Sequence, residues 1–251
     1  MSILIFLAVI ICAWQGFFFI SVDLLGIFKP YALPSPLGVG ERFITLSSDG
    51  SLLQSAANSL FRGIEGFILA VIIGTVIGLL INHFNFLNKG LKPLILGIQT
   101  LPSVCWVPFS ILWFGLSNQA ILFVVIMGSA FSISISVDNA IKNIEPIYKK
   151  AALTMGASSR QMYIHVIFPA ALPELISGLK QGWSFAWRAL MAGEVMTTSI
   201  GLGQTLIMGR DLADINQVML VMIIIIIIGI LIDKCIFSSI EKRVLKKRGL
   251  G

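Results

Sequence analysis

Charged side chains are scarce in this chain of 251 residues, since only 12% are Asp, Glu, Lys or Arg, whereas soluble domains hold about 25%. Hydrophobic residues make up 57% of the sequence. This composition excludes an ordinary soluble domain and predicts a membrane protein. The formal net charge of +6 comes from short loops and the tail, so it does not indicate a nucleic-acid partner.

Cysteine and histidine are also rare, and their placement excludes several kinds of site. Three cysteines lie in apolar segments, without disulfide or metal-ligand spacing, and we expect them to be small buried side chains: Cys12, Cys105 and Cys235. The two histidines, His83 and His165, lie in different loops, and no H-E-x-x-H pattern occurs. The sequence therefore predicts no metal site.

Familiar catalytic motifs are missing as well. The sequence has no G-x-x-x-x-G-K-[ST] loop, so it does not predict ATP binding by that route. It has no G-x-S-x-G nucleophile elbow either. An intramembrane enzyme would need a nucleophile or a metal set, and we predict no catalytic residue in this chain.

Long apolar segments dominate what the sequence does contain, and they predict six helices that cross a hydrocarbon core of about 30 Å. We place these helices at residues 1–22, 63–83, two within 93–137, 176–198 and 217–232. Residues 1–22 lack the basic start and cleavage site of a signal peptide, so we expect a retained helix. The predicted fold is all-α and polytopic, in one domain over residues 1–251 with its core roughly at 55–235.

Glycine and proline positions predict local features of these segments. Gly74 and Gly78 form a GxxxG pattern, which lets two helices approach closely. Residues 115–119 are a predicted turn, and we expect Pro102 and Pro108 to bend the helix before it. Polar connections are predicted at residues 23–59, with an extended stretch at Pro30, Pro34 and Pro36, and at residues 85–92.

The distribution of Lys and Arg between the loops predicts the orientation of the chain. One set of loops and the tail hold twelve basic residues: Lys89, Lys92, Lys142, Lys149, Lys150, Arg160, Lys234, Lys242, Arg243, Lys246, Lys247 and Arg248. The opposite set holds four: Lys29, Arg42, Arg62 and Arg210. The richer set is predicted to face the cytoplasm, which places both termini there.

One of the least hydrophobic stretches predicts two short helices joined by a tight turn. The first helix carries apolar residues at helical spacing on one face: Tyr148, Ala151, Ala152 and Met155. Gly156 ends this helix, because glycine adopts the left-handed C-cap conformation at little cost. Ser158 or Ser159 can cap the second helix, and Pro169 and Pro173 are expected to end or bend it.

This stretch resembles the cytoplasmic loop of permease subunits of ABC-type importers, which reads E-A-A, three residues, G, nine residues, I-x-L-P. The chain follows that spacing at seven positions: Lys150, Ala151, Ala152, Gly156, Val166, Phe168 and Pro169. Lys150 stands where the family usually has glutamate, and Val166 and Phe168 are mild substitutions. In the family this loop docks on a cytoplasmic ATPase, so the resemblance implies a coupling loop at residues 138–173.

Motifs on both sides of the loop resemble the nitrate/sulfonate/taurine branch of these permeases. They are Leu33-Pro34-Ser35-Pro36, Leu101-Pro102-Ser103, Trp106-Val107-Pro108, Ala192-Gly193-Glu194 and Gly201-Leu202-Gly203. The resemblance therefore runs from Leu33 to the C-terminus, and it implies the fold of a type I importer permease.

The resemblance also implies partners and a location. Two permease copies, expected to form a homodimer, would build the pathway, cytoplasmic ATPase subunits would bind ATP and Mg²⁺, and an extracytoplasmic solute-binding protein would deliver the substrate. This chain would hold no cofactor, would be no enzyme, and would be a multi-pass protein of the cell (inner) membrane. The implied substrate is a small anion such as nitrate, a sulfonate or taurine.

Two charges within the fifth predicted helix are candidates for the translocation pathway. A charge at the centre of a membrane helix costs about 2.5–3.5 kcal/mol on insertion scales, so it usually faces protein or water. Arg188 lies near the middle of that helix, and there it either favours an anionic substrate in the pathway or makes a structural contact. Glu194 lies nearer its end, six residues away and so on another face. Trp187 lines the pathway or fills an interface.

A stand-alone secondary transporter or channel is the alternative. Such a protein would show inverted repeats, or broken helices with ionisable coupling sites. The sequence shows no such repeat, although the proline-rich third segment permits a broken helix. Co-purification of an ATPase separates the two hypotheses.

Overall fold

The structure, a computed structural model, describes residues 2–29 and 31–247. This part of the chain is mainly helical and contains no β-strand. Pro30 and Arg248, which the predictions above include, lie outside these residues. The α-helices are α1 (Ser2–Phe18), α2 (Pro36–Ser48), α3 (Ser51–His83), α4 (Asn85–Ile98), α5 (Val107–Phe114), α6 (Asn118–Lys142), α7 (Pro146–Thr154), α8 (Ser159–Gln161), α9 (Phe168–Met196), α10 (Leu202–Asp211), α11 (Ile215–Ile232) and α12 (Ser238–Lys247). The all-α fold class is confirmed.

Four helical stretches are long and apolar enough to cross a membrane: Ser51–His83, Asn118–Lys142, Ser159–Met196 and Ile215–Val244. A fifth crossing results if the bent pair Asn85–Ile98 and Ser103–Phe114 is one span. Towards the N-terminus, α1 and the π-helical turn Phe19–Leu24 include a shorter apolar helix, Ala8–Leu24. The structure therefore confirms four to five of the predicted membrane helices.

Several predicted loops are helical. Pro36 is not extended, because it is the first residue of α2. Ser35 caps this helix, since its Oγ accepts from the Gly38 N–H at 3.0 Å. Proline suits the first helical position, where its missing N–H costs nothing. The predicted loop at residues 85–92 is also wrong, since these residues form the first half of α4. Polar side chains lower hydropathy without breaking a helix.

The predicted bend at Pro102 is confirmed as a break, because the helices before and after it meet at 99°. Pro108 does not bend the chain, since it lies in the first turn of α5. The turn predicted at residues 115–119 is confirmed: Gly115 ends α5 with φ +66°, and Ser117 caps α6 by accepting from the Ala120 N–H.

Prolines 169 and 173 were expected to end or bend their helix, and the first of these alternatives is wrong, because the helix continues past both. Pro169 lies in the first turn of α9, and Pro173 lies inside it. Membrane helices tolerate proline where neighbouring groups satisfy the freed carbonyls. A continuous helical stretch therefore runs from Ser159 to Met196, so the helix predicted to begin at residue 176 begins earlier.

The chain divides into two units. The first unit comprises Met1–Leu60 and Glu194–Ile228. In it, Trp14 Nε1 donates to the Pro34 carbonyl at 3.0 Å, and the Ser35 N–H donates to Asn216 Oδ1 at 3.0 Å. Arg42 pairs with Asp214. These contacts join the start of the chain to the α10–α11 region.

The second unit comprises Phe61–Gly193 and Gly229–Gly251, and its core includes α3 packed on α6. The GxxxG prediction is confirmed here, because a Cβ on Gly74 would lie 2.6 Å from the Ala130 carbonyl oxygen and one on Gly78 would lie 2.5 Å from that of Ser134. Only glycine permits this approach of the two backbones.

The three cysteines are exposed on the surface of the chain, so their predicted burial is wrong: Cys12, Cys105 and Cys235. In a soluble protein, a residue with apolar neighbours in the sequence is usually buried in the core. In a membrane protein, apolar side chains also cover the surface that faces lipid.

Candidate functional site

The segment between α6 and α9 forms the predicted helix–turn–helix. Helix α7 ends in a Schellman turn, in which the Ala157 N–H donates to the Ala152 carbonyl and the Gly156 N–H to the Leu153 carbonyl, both at 3.0 Å. Gly156 has φ +77°, the left-handed conformation predicted for it. The turn therefore satisfies carbonyls that the helix end would leave unpaired.

A capping box starts the second helix. The Gln161 N–H donates to Ser158 Oγ at 3.4 Å, while the Ser158 N–H donates to Gln161 Oε1 at 2.9 Å. Of the two serines considered as caps, Ser158 is the one used. The helix then passes through a π-helical turn, Met162–Ile167, into α9.

A small core holds the two helices on the second unit. Its buried members are Ala140, Ile144, Ala152, Met162, Ile167 and Ala171. Ala152 is 7% exposed, so it belongs to this core and faces away from Met155, which is 87% exposed. The predicted apolar face is thus divided, with Ala152 inside and three residues outside: Tyr148, Ala151 and Met155.

The remaining loop positions divide in the same way. Lys150 and Phe168 are exposed, whereas Val166 is partly buried against the small core. Ile147 and Leu153 are exposed as well. Helix α7 and its C-cap residue therefore present exposed apolar residues at helical spacing, which we call the α7 outer face: Ile147, Tyr148, Ala151 and Met155.

Arg188 lines a cavity of about 330 Å³ within the second unit. Its walls come from α9, from α6 and from the break between α4 and α5. The lining residues are Ile98, Gln99, Thr100, Leu101, Pro102, Ser103, Trp106, Met127, Gly128, Ser132, Phe185 and Arg188. None of them is acidic, so the charge of the arginine sets the potential of the cavity.

Contacts within α9 orient this arginine. Its Nε donates to the Ser184 carbonyl at 3.1 Å, and its guanidinium carbon lies 4.8 Å from the centre of the Phe185 ring, within reach for a cation–π interaction. In the described part of the chain no carboxylate pairs with Arg188. Its two terminal nitrogens therefore remain as donors.

Glu194 occupies a different environment, in the first unit. Its carboxylate is fully buried and accepts from Ser59 Oγ at 2.7 and 2.9 Å and from the Gly203 N–H at 3.0 Å. Ser59 Oγ also accepts from the Leu202 N–H at 2.8 Å. Glu194 and Ser59 thus satisfy the first N–H groups of α10, because the preceding residue, Gly201, has no side chain to cap it.

Trp187 is buried in the second unit and stacks on Trp183, with ring centres 6.0 Å apart. Phe67 and Phe237 pack around Trp183 edge-on or tilted, at 5.3 and 6.3 Å. The structure therefore separates the three residues proposed for the pathway: Arg188 reaches a cavity, whereas Trp187 and Glu194 lie in packed surroundings. Among the described residues, no three His, Cys, Asp or Glu side chains are grouped to hold a metal ion.

Sequence reasoning missed the polar residues that face Arg188: Gln99, Ser103 and Ser132. The sequence held one signal of a polar site. Ser132 is one of several serines in the uncharged run from Pro93 to Val137, which was predicted to form two membrane helices. The sequence does not show that these three residues converge on one cavity, because the convergence depends on the 99° break and on the packing of α6 against α9.

Comparisons with known proteins agree with this architecture. The family described as the inner membrane component of binding-protein-dependent transport systems matches residues 66–246. The putative aliphatic sulfonates transport permease SsuC of Escherichia coli is 31% identical over 224 residues, 89% of this chain and 83% of that protein. The taurine transport permease TauC of the same organism is 28% identical, over 78% of this chain and 72% of that protein.

A third relative is the nitrate import permease NrtB of Synechocystis, 25% identical over 81% of this chain and 78% of that protein. A chain of the MetNI methionine ABC transporter in an inward-facing conformation has the same fold, with a TM-score of 0.65 at 20% identity, over 77% of this chain and 96% of that chain. The family match covers most of the sequence, including the helix–turn–helix and the Arg188 cavity. The chain therefore belongs to the family of binding-protein-dependent transport inner-membrane components, the permease subunits of ABC importers.

Proposed function

We propose that this chain forms the membrane pathway of an ATP-driven importer and that the α7 outer face is the surface on which the ATPase docks. The α7 outer face carries the proposal: a helix fixed by its own core and by a Schellman turn leaves four apolar residues of one face exposed. Exposed apolar patches mark protein contacts. ATP and Mg²⁺ would bind to the ATPase and not to this chain.

The proposed topology has six crossings with both termini in the cytoplasm. It counts Ala8–Leu24 and the bent pair as one crossing each, in addition to the four long helical stretches. The twelve-to-four distribution of Lys and Arg supports this orientation. It places α7 in the cytoplasm, where an ATPase can reach it.

The proposed assembly contains a second copy of this chain, two ATPase subunits and an extracytoplasmic solute-binding protein. We place the coupling loop at residues 138–173 as part of a single permease domain over residues 1–251. Ala152, which is buried, and the turn at Gly156 shape the docking surface rather than touch the ATPase. Lys150 is exposed at the edge of α7, so the cleft that receives it must accept a cation where the family usually supplies glutamate.

The proposed substrate is a small oxyanion such as a sulfonate, taurine or nitrate. Three relatives are named for transport of these compounds, and Arg188 supplies an unpaired cation within a predicted membrane helix. Glu194 and Trp187 then belong to the scaffold that holds the pathway helices, because both are buried.

Substitution of Met155, the exposed residue that follows α7, tests the docking surface. Met155→Asp places a charge on the α7 outer face without entering the core, because Met155 is 87% exposed. We expect normal levels in the membrane, at least tenfold less ATPase co-purifying with the permease, and loss of ATP-dependent uptake.

Met208→Asp is the matched control, since Met208 is an exposed methionine of α10, predicted to face the other side of the membrane. It should leave co-purification unchanged. If Met155→Asp also binds the ATPase as wild type does, the α7 outer face is not the dock.

A further inference from the structure

We infer that the Arg188 cavity is a binding subsite of the permease itself, which holds the oxyanion group of the substrate during passage. The inference rests on the proposed function, since it assigns the substrate class of that function to one place in the second unit. It concerns the described residues of α4, α5, α6 and α9 that line the cavity.

Unused hydrogen-bond donors are the first observation. Arg188 donates through Nε to the Ser184 carbonyl of its own helix. The two terminal nitrogens of its planar guanidinium remain available as donors. Within residues 2–29 and 31–247, the side chains of Gln99, Ser103 and Ser132 make no hydrogen bond. Four side chains on one cavity thus have donors to spare, and an oxyanion with two or more oxygens accepts several donors at once.

The charge balance of the cavity is the second observation. No acidic residue lines it, and no carboxylate pairs with Arg188 within the described residues. A guanidinium with no carboxylate partner attracts an anion, and the hydrogen bonds that it can make with two oxygens of one oxyanion add to that attraction. A cationic solute has no acceptor group of opposite charge here, so the cavity selects against it.

The shape of the cavity is the third observation. Its volume of about 330 Å³ is at the lower end of the range of small-molecule sites. Trp106, Met127 and Phe185 give the lining apolar surface beside the donors. The cavity therefore suits an oxyanion head group with a short apolar tail, such as a small sulfonate, and it also admits a bare oxyanion.

Close packing brings the two sides of the site together. A Cβ on Gly128 would lie 2.7 Å from the Cβ of Ala189 and 3.4 Å from that of Ser103. Glycine at this position thus allows α6, α9 and the break after α4 to approach within reach of one small ligand. The break itself places Ser103 at the start of a new helical segment.

The test uses the complete importer, with its ATPase and binding protein, in proteoliposomes. The probes are radiolabelled ethanesulfonate, taurine and nitrate. Arg188→Gln should reduce uptake of the transported probe at least tenfold while the amount of ATPase that co-purifies stays within twofold of wild type. Arg188→Lys keeps the charge but not the planar fork, so it should restore part of the uptake.

Ser132→Ala should reduce uptake threefold or more by the loss of one donor, and the binding protein's own affinity should not change. Arg210→Gln, at an exposed arginine that pairs with Asp211, is the matched control and should transport as wild type does.

The outcomes distinguish failure of the subsite from failure of the proposed function. Wild-type uptake in both Arg188→Gln and Ser132→Ala overturns the subsite and leaves the importer function intact. If Arg188→Gln loses the ATPase, Ser132→Ala decides: normal uptake in that variant overturns the subsite, and reduced uptake with normal assembly supports it. If the wild-type complex assembles but imports none of the three probes, the proposed substrate class is wrong, and the subsite inference is overturned with it.

Discussion

Gly156 shows how one residue controls the geometry of the helix–turn–helix between α6 and α9. Its φ of +77° is strained for residues with a side chain, and beyond its chain neighbours no atom would lie within 4 Å of a Cβ at this position. A substitution there therefore acts through the backbone alone. The left-handed conformation costs an L-residue roughly 1–2 kcal/mol, and a β-branched residue more. The Schellman turn thus depends on glycine.

We predict that Gly156→Val loosens the turn while the protein still inserts in the membrane. In inside-out vesicles, the variant should be cleaved between α7 and α9 at least severalfold faster by added protease, and it should retain less ATPase. Gly156→Asn should behave nearly as wild type, because asparagine tolerates this conformation. Equal cleavage rates for Val and wild type would show that the turn does not need a positive φ.

Residues whose role is local were predicted from the sequence, whereas residues whose role depends on packing were not. The conformation of Gly156 and the cap at Ser158 follow from a few neighbouring residues. The convergence of Gln99 and Ser132 on Arg188 and the capping of α10 by Ser59 depend on helices far apart in sequence. The burial of Ala152 depends on how α7 packs on its neighbours. The exposed cysteines were mispredicted because hydropathy does not distinguish lipid from protein core.

At the scale of the element, a buried carboxylate ties α4 to α6 and α3. Asp138 is fully buried and accepts from Lys92 Nζ at 2.7 Å and from Lys142 Nζ at 2.8 Å. Asn82 Nδ2 adds a further hydrogen bond at 3.2 Å. The cluster fixes the segment that was predicted to be a loop: Lys92 anchors α4 through a contact that the sequence does not show.

Asp138→Ala should destabilise the protein, because it leaves two ammonium groups without their shared acceptor. Breaking a buried ion pair costs about 3–5 kcal/mol, and the partial exposure of both lysines reduces the expected loss to roughly 1–3 kcal/mol. Thermal unfolding in detergent should show a clearly lower midpoint. Lys92→Met leaves Asp138 paired with Lys142 and should lower it less; if both variants match wild type, the cluster does not hold α4.

Helix boundaries were harder to predict than helix existence for a related reason. Hydropathy locates the part of a helix that lies in lipid, but α3 and α9 extend beyond it through polar residues. Proline alone did not locate the helix ends, because Pro169 and Pro173 lie within α9, while Pro102 coincides with a true break. The class of fold was therefore predictable, and the lengths of its elements were not.

At the scale of the whole molecule, the docking proposal requires α7 and α2 to lie on opposite sides of the membrane. Ser47 and Ser159 are both exposed, at the end of α2 and the start of α8, so a cysteine at either position can react wherever reagent is present. All three native cysteines must first be replaced, because all are exposed. Leu116, exposed in the turn before α6, reports whether the bent pair crosses.

With a membrane-impermeant thiol reagent on intact cells, we expect Ser47→Cys and Leu116→Cys to be labelled and Ser159→Cys to react only after permeabilisation. Labelling of Leu116→Cys from outside would establish the bent pair as a crossing, because Lys89 and Lys92, in the first half of α4, belong to the basic residues that are predicted to face the cytoplasm. Labelling of Ser159→Cys in intact cells would place α7 outside. The α7 outer face could not then meet an ATPase, whatever its apolar surface contacts.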